Sequence, residues 1–127
     1  MKKNINIKPI ILILVAICLI ISCNKFSNRN LIGNYYLQHS KFGKAICYKV
    51  DNDGDCVELV SGAFGSIGYD DNYIIVERSK YEYLIIIIYK QMNYFPEKGV
   101  LGPFNLKEFN KQKKILNIKA DFNIDTN

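Results

Sequence analysis

Apolar positions cluster along this chain in two different ways, and the contrast divides it. Residues 10–21 (IILILVAICLII) are apolar throughout, with neither the 3.6-residue stripe of a surface helix nor the alternation of a half-buried strand. From Tyr35 onward the apolar residues come in short β-branched and aromatic runs broken by Gly, Asn, Asp and Ser, the pattern of strands and turns. Strands are predicted over 35–39, 45–50, 56–60, 73–77 and 83–89, joined through turn-forming stretches at 40–44, 51–55, 70–72 and 79–80. Residues 61–68 (SGAFGSIG) read either as a loop or as a strand with bulges where another backbone approaches closely, because their three glycines weaken a regular strand.

The stretch YLIIIIY at 83–89 is apolar on both faces. It therefore suits an interior strand, one face under a helix and the other against further protein; at a sheet edge it would invite pairing between molecules. One helix is predicted after it. Asn105 can cap its N-terminus, Glu108 follows three residues on, and Leu106, Phe109, Lys113 and Leu116 recur at helical spacing. Gly102 and Pro103 punctuate the approach, and Lys111, Lys113 and Lys114 fall in the later turns, where the helix dipole favours positive charge. Beyond Leu116, the alternation of Ile118, Ala120 and Phe122 fits a terminal strand as well as it fits a loose tail. The expected class is α+β, mainly β: an antiparallel β-meander of about five strands packed by one C-terminal helix.

The N-terminal run needs a different explanation. Lys2, Lys3 and Lys8 precede it, and Ser22 and Cys23 close it, which is the order of an export signal: positive start, apolar centre, small residue at the cut. Its 12 residues would reach only about 18 Å as a helix, against a hydrocarbon core of about 30 Å. The tetrapeptide Ile20-Ile21-Ser22-Cys23 resembles the lipobox of bacterial lipoproteins. That resemblance implies cleavage before Cys23, a diacylglycerol thioether on its sulfur, and often acylation of the freed amine; the competing reading is an ordinary signal peptide cut near Ser22. The expected organisation is a signal peptide over 1–22, a lipidated tether over 23–32 and a single small β-rich domain over 33–127.

Charge follows the same division. Of the 17 basic residues three precede Cys23, which leaves 14 against 12 acidic ones, so the high isoelectric point is poor support for nucleic-acid binding. Of the four cysteines, Cys18 lies in the leader and Cys23 is the lipid site, leaving Cys47 and Cys56. Pairing of the strands on either side of 51–55 would bring these two within disulfide reach; a bridge and a pair of buried thiols are both open.

Candidate chemistry is sparse. His39 is the sole histidine and no nucleophile-elbow motif accompanies it. Zinc would have only Cys47, Cys56 and His39 to draw on. Asp51, Asp53 and Asp55 resemble the opening of an EF-hand calcium loop, but Cys56 and Gly62 stand where that loop needs Gly and a bidentate Glu, so a hairpin turn is expected. An acid–base pair would come from Glu58, Asp70, Asp71, Glu77 or Glu82. Lys107, Lys111, Lys113 and Lys114 form a basic helix face, solvated or resting near anionic lipid.

A further resemblance covers most of the mature part. Gly33-Asn34-Tyr35-Tyr36-Leu37, Gly68-Tyr69-Asp70-Asp71-Asn72-Tyr73-Ile74-Ile75, residues 83–86, and Gly102-Pro103-Phe104 before Phe109 and Leu116 are similar to a family of small uncharacterised bacterial lipoproteins, a domain of unknown function. It implies a fold and an anchor but no activity. The expected protein is a non-enzymatic binding or structural module on the extracytoplasmic side of a bacterial cell membrane or outer membrane; the alternative is an inhibitor or immunity lipoprotein directed at a cell-wall hydrolase or toxin. Its partners would be the membrane, through the lipid, and another protein, with no nucleic acid, no cofactor, no metal and no catalytic residue expected.

Overall fold

The computed structural model describes residues 8–23, 27–40, 43–50, 56–79, 81–91 and 95–126. The fully apolar N-terminal run is helical, as α1 (Lys8–Cys23). Among the described residues nine strands follow: β1 (Ser27–Ile32), β2 (Tyr35–Ser40), β3 (Gly43–Lys49), β4 (Cys56–Gly62), β5 (Ser66–Tyr69), β6 (Tyr73–Ser79), β7 (Glu82–Ile87), β8 (Val100–Phe104) and, after helix α2 (Leu106–Ile115), β9 (Ile124–Asp125). The α+β, mainly β class expected from the pattern is the class of the structure. The strands are more numerous than the five expected, and they divide between two open antiparallel sheets, ordered β1-β2-β3-β4 and β8-β7-β6-β5-β9.

Alternation within each strand explains why the sheets stack. Tyr35, Leu37, Ile46, Tyr48 and Val60 of the first sheet meet Ile67, Ile74, Val76, Leu84 and Ile86 of the second in one buried core. The intervening residues of the second sheet, Ile75, Tyr83 and Ile85, turn the other way and are covered by Phe109 of α2, Ile118 and Ala120. β7 therefore has protein on both faces and strands on both sides, as its sequence requires. A hydrogen-bonded tie joins the sheets: the Tyr35 hydroxyl donates to the Ile87 carbonyl (3.1 Å) and accepts from the Tyr89 N–H (3.0 Å). Burial raises the Tyr35 pKa above its ordinary value, against the opposing pull of the Tyr89 N–H.

Three expectations are corrected. Residues 27–32, assigned to the tether, form β1; among the described side chains of that polar strand only Leu31 is deeply buried, so its sequence carries almost no strand signal. The helix begins after Asn105, whose side chain accepts from the Glu108 N–H (2.8 Å), but its apolar stripe is thinner than the spacing suggests, since Phe109 alone is buried and Leu106 is 54% exposed. The segment after Leu116 is held without a ladder until β9, with Ile118 and Ala120 buried. Its path explains Gly68: a Cβ there would lie 1.8 Å from the Asp121 carbonyl oxygen, so 61–68 contains the close backbone approach that its glycines suggested.

Candidate functional site

Cys23 is the last residue of α1, and three residues separate it from the start of β1 at the edge of the first sheet. The lipobox residues Ile20, Ile21 and Ser22 form the turn of helix before it. An anchor at this position would be joined to a structural strand almost directly.

Cys47 and Cys56 are joined in a disulfide with a Cα–Cα separation of 5.5 Å. The ladder pairs Cys47 with Glu58 and Lys49 with Cys56, so the bridge runs diagonally between β3 and β4. Cys47 alternates with the core residues Ile46 and Tyr48, and Cys56 pairs with Lys49 on that same face of β3, which puts the bridge on the face of the first sheet turned away from the second. A register shift between Ile46 and Cys47 brings Glu58 rather than Leu59 opposite Cys47. This outer face is polar: Lys49 Nζ lies 4.3 Å from the Tyr36 ring centre, and Gln38, Glu58 and Ser61 line an open groove of about 370 Å³. The aspartates at 51–55, weighed as a calcium loop, lie outside the described residues.

Of the carboxylates with acid–base potential, Asp70 and Glu82 are engaged in structure. Asp70 accepts from the N–H groups of Asn72 and Tyr73 through Oδ1 and from that of Lys119 through Oδ2, each at 2.8 Å. Partial burial pushes its pKa up, but the N–H groups of Asn72, Lys119, Tyr73 and Ala120 together pull it below the ordinary carboxylate value. It thus stays ionised and pins the β5–β6 turn to the C-terminal segment. Asp71 is exposed beside it. Glu82 receives Arg78 through Nη2 (2.7 Å) and Nε (2.9 Å). Glu77 closes over Gly65, whose added Cβ would meet its Oε1 at 2.7 Å, and Glu58 lies on the other sheet. His39 sits on β2, paired in register with Ser27 and Lys44. Among the described residues no group of three His, Cys, Asp or Glu is placed to hold a metal ion.

Of the helix lysines, Lys107, Lys111 and Lys114 are exposed and Lys113 lies 3.5 Å from Asp121. One structural residue had no sequence signal of its own. Thr126 is buried, its hydroxyl donating to the Phe64 carbonyl (2.8 Å) while its own carbonyl accepts from Lys44 Nζ.

Compared with protein-family models, with curated proteins and with solved structures, the chain finds no match. The likeness to a lipobox and to small lipoproteins rests on the residues quoted above.

Proposed function

We propose that this chain is a bacterial lipoprotein held by acyl chains on Cys23 at the extracytoplasmic face of a membrane, where its β-rich domain serves as a non-enzymatic binding or structural module. The observation that carries this reading is the order of the first 23 residues: lysines, 12 apolar positions, then Ile20-Ile21-Ser22-Cys23. The length of α1 supports it. Sixteen residues extend about 24 Å, short of a hydrocarbon core of about 30 Å, and no helix among the described residues is long and apolar enough to cross a membrane. The Cys47–Cys56 bridge fits an oxidising compartment outside the cytosol. Each buried CH₂ contributes about 0.8 kcal/mol, so the two chains of a diacylglycerol hold the domain stably where a single chain would not.

Intact-mass and N-terminal analysis of the protein purified from its own host tests the proposal. The mature chain is expected to begin at Cys23 and carry a diacylglycerol mass there, and Cys23→Ser is expected to abolish both the lipid and membrane retention. A mature chain that begins elsewhere, or lacks the acyl mass, overturns it.

A further inference from the structure

We infer that the domain stands on its anchored end, with Tyr81, which leads into β7, seated among the lipid headgroups. The inference rests on the Cys23 anchor proposed above. Three residues lie between Cys23 and Ser27, so at full extension Cys23 is within about 14 Å of the start of β1. The register of the first sheet shows what shares that end. Ser27 pairs with His39, His39 with Lys44 and Lys44 with Gly62, one row across all four strands.

The second sheet is aligned with this row. Lys44 Nζ donates to the carbonyl of Thr126, and a Cβ on Gly62 would lie 3.8 Å from Arg78 Cδ. Arg78 is the penultimate residue of β6, and the hairpin beyond it carries Tyr81, which is 78% exposed. Leu106 follows Phe104, the register partner of Tyr83, and is exposed near the same end. The opposite end is marked by the Tyr35 tie to Ile87 and Tyr89, and by a hollow lined by Gly33, Asn34, Asp71 and Lys90. Strands of six or seven residues put the two ends about 20 Å apart, farther than the tether reaches.

Exposure alone would not choose the end. Phe95 is 58% and Ile115 64% exposed, and both belong to the far end: Phe95 follows the exit from β7, and Ile115 precedes Asn117, which shares a hollow with Asp70 and Asp71. The tether decides between them. Tyr81 then has the chemistry of its setting, an aromatic body with a polar tip suited to the boundary between headgroups and acyl chains. In this orientation Lys113 and Lys114, at the far end of α2, face away from the bilayer.

The chain contains no tryptophan, so a single introduced indole reports depth without background. The full lipidated protein carrying Tyr81→Trp, and separately Phe95→Trp, would be reconstituted in phosphatidylcholine–phosphatidylglycerol vesicles with bromine on the acyl chains near the headgroups. Burial of about 5–10 Å at the boundary predicts at least roughly twofold quenching for Tyr81→Trp and almost none for Phe95→Trp. Equal quenching of the two, or stronger quenching of Phe95→Trp, overturns the orientation while leaving the anchor intact. Flotation with the vesicles and the acyl mass on Cys23 are read on the same samples, and protein that neither floats nor carries lipid overturns both.

Discussion

Replacing Gly68 by Ala would place a methyl carbon 1.8 Å from the Asp121 carbonyl oxygen, 2.7 Å from its carbonyl carbon and 3.3 Å from the Phe122 nitrogen. All three are backbone atoms, so no side chain can swing aside. Carbon–oxygen contacts settle near 3.3 Å or more, so the C-terminal segment must retreat by about 1.5 Å. Gly68 does not have a left-handed φ, and Ala there carries no backbone strain; without the contact, Ala would stabilise the strand by up to about 1 kcal/mol. The contact reverses that sign. Overpacking of this kind costs typically about 1–3 kcal/mol. Complete detachment of the segment would cost more than a local retreat: it exposes Ile118, at about 2 kcal/mol, together with Ala120 and Phe122, and breaks the Thr126 and Lys119 hydrogen bonds at about 1 kcal/mol each and the β5–β9 pairing.

A loss of about 3 kcal/mol is therefore expected, or roughly 12–24 °C in Tm for a domain of this size. The assay is urea and thermal unfolding of the protein, disulfide intact, followed by circular dichroism. Gly33→Ala serves as the comparison: it has φ +56° and nothing within 4 Å of the added carbon, so only the left-handed backbone cost of about 1–2 kcal/mol applies. If Gly68→Ala unfolds within about 0.5 kcal/mol of the parent, the inference that 118–126 is seated over β5 is wrong.

Removing the disulfide by Cys47→Ser with Cys56→Ser is expected to cost about 2–3 kcal/mol, because the bridge closes a loop with a sequence separation of 9; an unchanged urea midpoint would contradict this. Tyr35→Phe removes the donor to Ile87 and leaves the Tyr89 N–H without its acceptor, so a loss of about 1–3 kcal/mol in chemical denaturation is expected. Asp70 has a depressed folded pKa, so its contribution is full above the unfolded value of about 4 and disappears as pH falls through the lower folded value. Stability measured below pH ~4 should thus fall less steeply in Asp70→Asn than in the parent, and parallel curves would refute the role assigned to its N–H bonds.

Local signals were legible in the chain. The Asn105 cap depends only on residues three positions apart, and the side chain does bond the Glu108 N–H. The apolar density of 83–89 implied a strand covered on both faces, because no edge position could keep four consecutive isoleucines from water. β1 was not legible, since SNRNLI pairs through backbone groups that every residue carries and, among its described side chains, buries only Leu31 deeply. Nor was the narrow seat of α2, where the aromatic contacts of Phe109 with Tyr83 (5.0 Å) and Phe122 (5.7 Å) do the work that the spacing had shared with Leu106.

By itself the sequence determined the strands at 35–39, 45–50, 56–60, 73–77 and 83–89, where the helix begins, and that an apolar run ends at a thiol, because each depends on neighbours within a few residues. The division of nine strands into two sheets, the pairing of Cys47 with Cys56 and the fitting of Gly68 beneath Asp121 were decided only by tertiary structure. Alternation states that a strand has an apolar face, whereas the surface that covers that face is supplied by residues tens of positions away.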